Sequence, residues 1–119
     1  MHEMALSQRI VDTAAEAAEE RDGRMTGICI AVGALSATNV ESLSFWLEET
    51  LRSRGLEGAD VEMEQPAADM RCECGEEYEA RDMFSGCPEC GSFSREVLSG
   101  MDVTVKWVEV EDDGKEKED

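Results

Sequence analysis

Two pairs of cysteines, separated by 12 residues, constrain the fold of this 119-residue chain more than any other feature. The pairs are Cys72 with Cys74 and Cys87 with Cys90. Four soft thiolates in one short segment are the ligand set that tetrahedral Zn²⁺ prefers. A closed four-cysteine site leaves no coordination position for a substrate. The pattern therefore predicts structural zinc bound by these four cysteines, at a site that supports folding and performs no catalysis.

The two cysteine pairs differ in their spacing. Cys87-Pro88-Glu89-Cys90-Gly91 has the spacing and the following glycine of a zinc knuckle, in which a tight turn aims amide N–H groups at the sulfur. The first pair has one intervening residue, Glu73, which tightens its turn and can distort the site. Disulfide pairing is the alternative, which a reducing cytosol disfavours. The fifth cysteine, Cys29, lies in an apolar run and is interpreted as an inert buried thiol.

The charge of the chain limits its partners. It contains 29 acidic and 11 basic residues, and its net charge is −18. Such a surface repels nucleic-acid phosphates and anionic lipids, which argues against both as ligands. No apolar run reaches the roughly 18 residues that a membrane span needs, and the N-terminus has no signal-peptide core. These features predict a small soluble protein of the cytoplasm that binds neither nucleic acid nor membrane.

The same charge raises the question of ionic strength. Self-repulsion destabilises a compact chain in ordinary buffer, whereas at molar salt the Debye length falls to about 3 Å and the repulsion largely disappears. We therefore hypothesise that the protein is halophilic and works in a high-salt cytoplasm. The alternative is a mesophilic protein with a solvated acidic face.

Hydrophobic periodicity predicts two helices in the first half of the chain. The apolar residues have helical spacing over residues 4–21 and again over 39–54. Thr38 and Glu41 have the spacing of a capping box at the start of the second helix, and Gly55 suits the position after its end.

Strand patterns alternate with these helices. The run Ile28–Val32 is continuously apolar, as in a strand that is buried on both faces. Residues 59–65 alternate and suit a strand that is covered on one face. A strand pattern resumes at 97–98 and at 103–110, with a change of phase at Trp107 that favours a bulge or burial on both faces.

The order of the elements predicts the fold class. We expect an α+β protein, in which a small three-stranded mixed sheet is packed by two helices and a four-cysteine zinc-ribbon lobe protrudes. The cysteine segment has no sustained periodicity of its own. The predicted boundaries are 1–69 with 96–111 for an α/β domain, 70–95 for a zinc-binding domain, and 112–119 for an acidic disordered tail.

The single histidine, His2, follows Met1 and precedes Glu3. The α-amino group of Met1, the amide nitrogen of His2 and its imidazole lie close enough to chelate one metal ion, with the Glu3 amide or a nearby side chain as a fourth donor. A square-planar nitrogen set of this kind suits Ni(II) or Cu(II). Because binding requires deprotonated donors it is pH-sensitive and releasable, which suits a carrier. The alternative is a frayed terminus with an incidental histidine.

Three features together resemble the HypA/HybF family of nickel-insertion chaperones for [NiFe]-hydrogenase maturation. They are the MHEMAL start, the segment G-x-L-S-A-T-N-V-E from Gly33 to Glu41, and the late cysteine pairs. The resemblance covers residues 1–111 and implies a metallochaperone, not an enzyme, with Zn²⁺ as structural ion and Ni²⁺ as cargo. It implies as partners a nickel-insertion GTPase and the hydrogenase large-subunit precursor, with urease maturation proteins as an alternative. The implied state is a monomer or a weak homodimer.

The resemblance also implies roles for single residues. His2 is the expected nickel ligand, together with the Met1 amine and the amides of His2 and Glu3, which makes 1–69 with 96–111 a nickel-binding domain. Glu3 is similar to a family residue that supports nickel binding or transfer. Asn39 and Glu41 lie in a segment that some family members use near the nickel site.

Other functions fit parts of the pattern. A zinc-ribbon adaptor for protein interactions needs only the cysteines, and His2 is then incidental. A nucleic-acid-binding zinc ribbon needs a basic patch, but 70–95 contains only three arginines among many acids. A hydrolytic enzyme needs a nucleophile–base pair, and none is visible. The GTPase is a separate chain, because this sequence has no G-x-x-x-x-G-K-[ST] phosphate loop.

Overall fold

A computed structural model describes residues 2–112 of the chain. It contains two helices and two three-stranded sheets, which confirms the α+β class. In chain order the elements are α1 (His2–Glu20), β1 (Gly23–Val32), α2 (Val40–Ser53), β2 (Asp60–Glu64), β3 (Ala68–Cys72), β4 (Glu77–Ala80), β5 (Arg95–Val97) and β6 (Val103–Asp112). Met1 and residues 113–119 lie outside the described residues. The predicted acidic tail, 112–119, therefore falls almost entirely outside them.

The chain divides into two compact units. The first, which we call the helical unit, comprises the chain up to Ile30, Thr38–Met63 and the chain from Thr104. The second, which we call the cysteine unit, comprises Ala31–Ala37 and Glu64–Val103. The domain boundaries at 69/70 and 95/96 stay a prediction.

The apolar faces of α1 and α2 are buried in the helical unit. Leu43, Leu47 and Leu51 are spaced four residues apart and form one buried side of α2. The buried apolar residues of α1 are Ile10, Val11, Ala14 and Ala18. Neither helix among residues 2–112 combines the length and the apolar composition that crossing a bilayer requires.

The end of α2 follows the sequence prediction. Gly55 has a φ of +75°, a conformation that glycine adopts without strain. Its N–H donates to the Arg52 carbonyl over 3.1 Å, and the Leu56 N–H donates to the Leu51 carbonyl over 2.8 Å. These two bonds form a Schellman motif, which satisfies carbonyls that the last turn of the helix leaves without a partner.

The first sheet has the strand order β2-β1-β6. β1 is buried from Gly27 to Val32, as predicted, but it begins five residues earlier than the predicted Ile28. Gly23 lies against the backbone of Glu111, while at the other end of β1 the Gly33 N–H donates to the Asp102 carbonyl over 2.9 Å. β1 and β6 are therefore antiparallel, and the mixed sheet that the sequence predicts requires β2 to be parallel to β1, which stays a prediction.

The edge strands show the alternation that the sequence predicts. In β2, Val61 and Met63 are half-buried between exposed acidic residues. In β6, Val105 and Val108 are half-buried, whereas Lys106 and Trp107 between them are both exposed. Two consecutive exposed residues are the burial pattern that a β-bulge produces.

The second sheet, with strand order β4-β3-β5, lies in the region where the sequence shows no periodicity. β4 and β5 have only four and three residues, too few to show a strand pattern. β3 is as long as β2 and does alternate, but two of its three buried residues are Ala68 and Cys72, which mark an apolar face only weakly. Met70 in β3 lies opposite Tyr78 and Val97, so Val97 belongs to this sheet rather than to the one that contains β6. The small core around Met70 includes Ala68 and Ala80.

Like charges lie opposite each other in this sheet, which bears on the salt hypothesis. Asp69 and Glu79 are paired in register on antiparallel strands, and both are exposed. Directly opposed like charges destabilise a strand pair, and salt screens this repulsion. We expect the melting temperature to rise between dilute buffer and molar KCl.

Glu79→Gln supplies the matched variant for this salt titration. It removes one of the two opposed charges, so it should raise the melting temperature more in dilute buffer than in molar KCl. Calorimetry of metal-loaded wild type and variant across a KCl series measures both effects. A wild-type melting temperature that stays flat or falls with KCl would overturn the halophilic hypothesis.

Candidate metal centre

The first cysteine turn connects β3 to β4. The Cys72 N–H donates to the Glu76 carbonyl over 2.8 Å, and the Gly75 N–H donates to the Cys72 carbonyl over 2.9 Å. Gly75 has a φ of +97°, which closes a turn this tight. Cys72 is buried at the end of the strand, whereas Cys74 is exposed in the turn.

The second cysteine turn has the hydrogen bonds of a knuckle. The Cys87 N–H donates to the Ser92 carbonyl over 3.0 Å, and the Gly91 N–H donates to the Cys87 carbonyl over 2.8 Å. The Glu89 N–H points at the Cys87 sulfur over 3.3 Å. Here too the first cysteine is buried and the second, Cys90, is exposed.

The four sulfurs converge on one point. All four Sγ atoms lie within 4.8 Å of one another. The Cys72 and Cys90 sulfurs are 3.5 Å apart, and those of Cys74 and Cys87 are 3.8 Å apart. Zinc–sulfur bonds of about 2.3 Å in a tetrahedron separate the sulfurs by about 3.8 Å, so the donor set fits Zn²⁺. The one-residue spacing of the first pair therefore does not keep Cys72 out of the cluster.

Glu73, the residue between the first two cysteines, is hydrogen-bonded to the segment that follows the second cysteine turn. Its N–H donates to the Ser94 carbonyl over 3.0 Å, and its carboxylate accepts from the Ser92 hydroxyl over 3.2 Å. These bonds brace the short turn against the segment that follows the second knuckle. Sequence reasoning missed both serines, because no local pattern indicates a bond across 19 residues.

The environment of Cys87 favours its thiolate form. Burial raises the pKa of the Cys87 thiol. The N–H groups of Cys90 and Glu89 and the neighbouring Cys72 and Cys74 have the larger combined effect, and they lower the pKa to about 7. A thiol with this pKa is substantially ionised at neutral pH, and the thiolate is the form that binds metal.

The second candidate group lies at the start of α1, in the helical unit. His2 is the first residue of the helix, two residues before the predicted start, and its side chain is 67% exposed. Its Nε2 lies 3.2 Å from Glu3 Oε2. The Glu3 side chain is buried, and the same oxygen accepts the Asn39 N–H over 3.1 Å. This N–H lowers the pKa of Glu3, so the carboxylate is the favoured form.

The contact between Glu3 and Asn39 corrects the predicted capping box. Asn39, not Thr38, caps α2: its Oδ1 accepts the Ser42 N–H over 2.8 Å. The N–H of the actual cap residue, Asn39, donates to Glu3 of the other helix and not to a glutamate of α2. A carboxylate from α1 therefore fills the role that a capping box gives to a residue of the same helix, and this links the starts of both helices.

The sequence-predicted site residues thus fall into two groups. His2 and Glu3 belong to the helical unit, where Asn39 joins them, and the four cysteines belong to the cysteine unit. Met1 lies outside the described residues. Three or more metal-ligating side chains with converging donor atoms are found at one place among the described residues, and this is the four-cysteine cluster.

Comparison with known proteins identifies the family. Residues 1–110 match the family model described as "Hydrogenase/urease nickel incorporation, metallochaperone, hypA". The hydrogenase maturation factor HypA of Chlorobaculum tepidum is 35% identical over 113 residues, which cover 93% of this chain and all of that protein. HypA of Francisella philomiragia is 33% identical over 109 residues, which cover 91% of this chain and 97% of that protein.

Solved structures show the same fold. The solution structure of the Ni metallochaperone HypA from Helicobacter pylori has a TM-score of 0.66 at 14% identity and covers 91% of this chain and 96% of its own. A second solution structure of a HypA protein has a TM-score of 0.68 at 16% identity, with coverage of 94% and 98%. This chain belongs to the HypA family, whose members are metallochaperones of hydrogenase and urease nickel incorporation and not enzymes.

Proposed function

We propose that this chain binds one Ni(II) ion at its N-terminus and delivers it, with a partner GTPase, to the [NiFe]-hydrogenase large-subunit precursor. The Met1 amine, the His2 imidazole and amide and the Glu3 amide are the proposed nickel donors. Cys72, Cys74, Cys87 and Cys90 are the proposed ligands of one structural zinc ion. The observation that carries the proposal is an exposed His2 at the first position of α1, beside a buried and anchored Glu3.

The proposed amide donors lie in the first turn of α1, outside the hydrogen-bond ladder of the helix. The first four N–H groups of an α-helix have no carbonyl acceptor within the helix, and those of His2 and Glu3 are among them. A metal ion that replaces these amide protons therefore breaks no hydrogen bond of the α1 ladder. Deeper in the helix the same exchange would remove one ladder bond per amide.

Glu3 supplies the charge that a cation needs at this position. The N-terminus of a helix carries partial positive charge, which by itself repels a metal ion. The Glu3 carboxylate is buried in the first turn, 3.2 Å from the imidazole, and offsets that charge. Because Asn39 holds the carboxylate from the start of α2, the negative charge stays fixed beside His2.

The exposure of His2 suits cargo transfer. A donor on a recipient protein can approach an ion held by an exposed imidazole and exchange ligands with it. The four-cysteine cluster suits the opposite task, since bound zinc would join the two cysteine turns and a closed site keeps no open position. We therefore assign nickel to the N-terminus and a structural role to the cysteines.

A nickel titration by calorimetry tests the proposal. Zinc-loaded, untagged protein in molar KCl should bind one nickel equivalent, and His2→Ala should lose it while its zinc content stays at one per chain. Thr13→Ala, an exposed substitution on the same helix, is the control and should bind nickel like the wild type.

Extension of the N-terminus gives an independent check. A short tag without metal ligands removes the free amine and should abolish nickel binding while the fold remains. Equal nickel binding by wild type and His2→Ala would refute the assignment and favour a zinc-ribbon adaptor that transfers no nickel.

A further inference from the structure

The cysteine unit exposes large apolar side chains in the segments that precede and follow the second cysteine turn. Phe84 is 85% exposed, Phe93 is 62% exposed and Met83 is 51% exposed. Two of the three phenylalanines in the chain thus lie in solvent on this unit. Exposed apolar residues that gather in one patch mark a surface for protein interaction.

Arg95 joins Phe93 to the backbone of the loop that carries Met83 and Phe84. Its guanidinium carbon lies 5.6 Å from the centre of the Phe93 ring. The same guanidinium donates to the Met83 carbonyl over 2.5 Å and to the Ser85 carbonyl over 2.6 Å. Phe93 and the loop that carries Met83 and Phe84 therefore lie around one cation, and we call these three residues the tip patch.

The loop that carries Phe84 is braced. One carboxylate oxygen of Asp82 accepts the Phe84 N–H over 2.9 Å and both the N–H and the hydroxyl of Ser85 over 3.1 Å. Arg95 holds the same loop by its carbonyls. A loop that is already ordered loses little conformational entropy when a partner binds, which favours association.

The charge of the cysteine unit limits the kind of partner that the tip patch can bind. The cysteine unit contains ten acidic residues and three arginines. Each arginine is already engaged. Arg71 pairs with Glu77 and Glu96, Arg81 donates to the Gln65 carbonyl, and Arg95 donates to two carbonyls of the loop that carries Phe84. A partner that complements this unit therefore brings cations in addition to apolar side chains, and charge pairs in direct contact are screened least by salt.

A second copy of this chain does not fit that description. It would bring an equally acidic unit to the interface, because each chain has a net charge of −18. The exposed parts of the three side chains amount to roughly 400 Å², about half of the area that each partner buries in a stable protein–protein interface. The area suits a transient contact with a different protein.

We infer that the tip patch docks a partner protein through a segment that combines apolar side chains with flanking lysines or arginines. The inference is independent of the proposed nickel site, since it involves no residue of the helical unit. Its failure therefore leaves the nickel assignment untouched, and the reverse also holds.

A fluorescence-anisotropy titration with a labelled peptide of alternating lysine and leucine tests the inference, on zinc-loaded full-length protein in about 0.2 M KCl. Phe84→Ser and Phe93→Ser should each weaken binding about tenfold, and Phe84→Leu should restore it. Phe45→Ser is the matched control, because Phe45 is 54% exposed on α2 of the helical unit. It should bind the peptide like the wild type.

Three results would overturn the inference. Unchanged affinity in Phe84→Ser would exclude the patch and would show attraction by charge alone, and an equal loss in Phe45→Ser would show that any exposed phenylalanine binds the peptide. Self-association that Phe84→Ser abolishes, measured by sedimentation velocity, would make a second copy the occupant. Zinc content near one per chain verifies that each variant is folded, as expected for a side chain this exposed.

Discussion

Chelation of the metal from the four-cysteine site is expected to unfold the cysteine unit and to leave the helices of the helical unit folded. Among the described residues, the buried apolar core around Met70 contains two further residues, Ala68 and Ala80, and Leu35, Tyr78 and Val97 pack against it while partly buried. Burial of a methionine contributes about 1.5–3 kcal/mol and an alanine less, whereas a structural zinc site contributes about 10–16 kcal/mol. Metal binding therefore dominates the stability of this unit. Two-dimensional amide spectra before and after chelation show the outcome residue by residue.

Cys87→Ser tests the same dependence without a chelator. Substitution of a residue that only supports a metal ligand typically weakens metal binding about 10- to 100-fold. Cys87 is itself a proposed ligand, so its loss should lower the zinc affinity by more than about a hundredfold. The matched control is Cys29→Ala, since Cys29 is a buried cysteine of the helical unit and lies outside the cluster. It should retain one zinc per chain. Native amide shifts throughout the metal-free cysteine unit would contradict the expected dependence.

Gly100→Ala is expected to destabilise the metal-loaded protein by about 3 kcal/mol or more. Gly100 has a φ of +106°, which costs any other residue about 1–3 kcal/mol. A Cβ at this position would also lie 2.5 Å from the Ala68 Cβ and 2.6 Å from its Cα. Because that Cα belongs to the central strand of the second sheet, the clash cannot relax by a side-chain rotation.

Gly58→Ala is the control for this substitution. A Cβ on Gly58 meets nothing within 4 Å, so the free energy of unfolding should change by less than about 0.5 kcal/mol or rise slightly. Denaturant unfolding of both variants at saturating zinc measures the difference. Similar losses in the two variants would indicate a general effect of glycine replacement, and the close approach of Gly100 to β3 would then not explain the result.

Features that depend on neighbours along the chain were predicted correctly. Leu43, Leu47 and Leu51 mark the buried side of α2, and Gly55 marks its end. The alternation in β2 likewise places Val61 and Met63 on one face. These features follow from local periodicity and from the conformational freedom of glycine, both of which are visible within a few residues.

Features that depend on distant partners were not predicted. β3 pairs Cys72 with Arg95, and β5, to which Arg95 belongs, has only three residues, too few to show a pattern before its partner is known. The capping box was assigned to Glu41 because that residue is close in sequence. The group that satisfies the Asn39 N–H is Glu3, 36 residues away.

The amino-acid sequence by itself determined the donor atoms and the charge of this protein. Four thiolates, one histidine beside the first residue and a net charge of −18 are properties of composition and order. Only the tertiary structure decided how these donors are held. The C-x-C turn is braced by Ser92 and Ser94, and the Glu3 carboxylate is fixed beside His2 by the backbone of Asn39. Both arrangements depend on hydrogen bonds between segments that folding brings together, and such bonds leave no periodic trace in the chain.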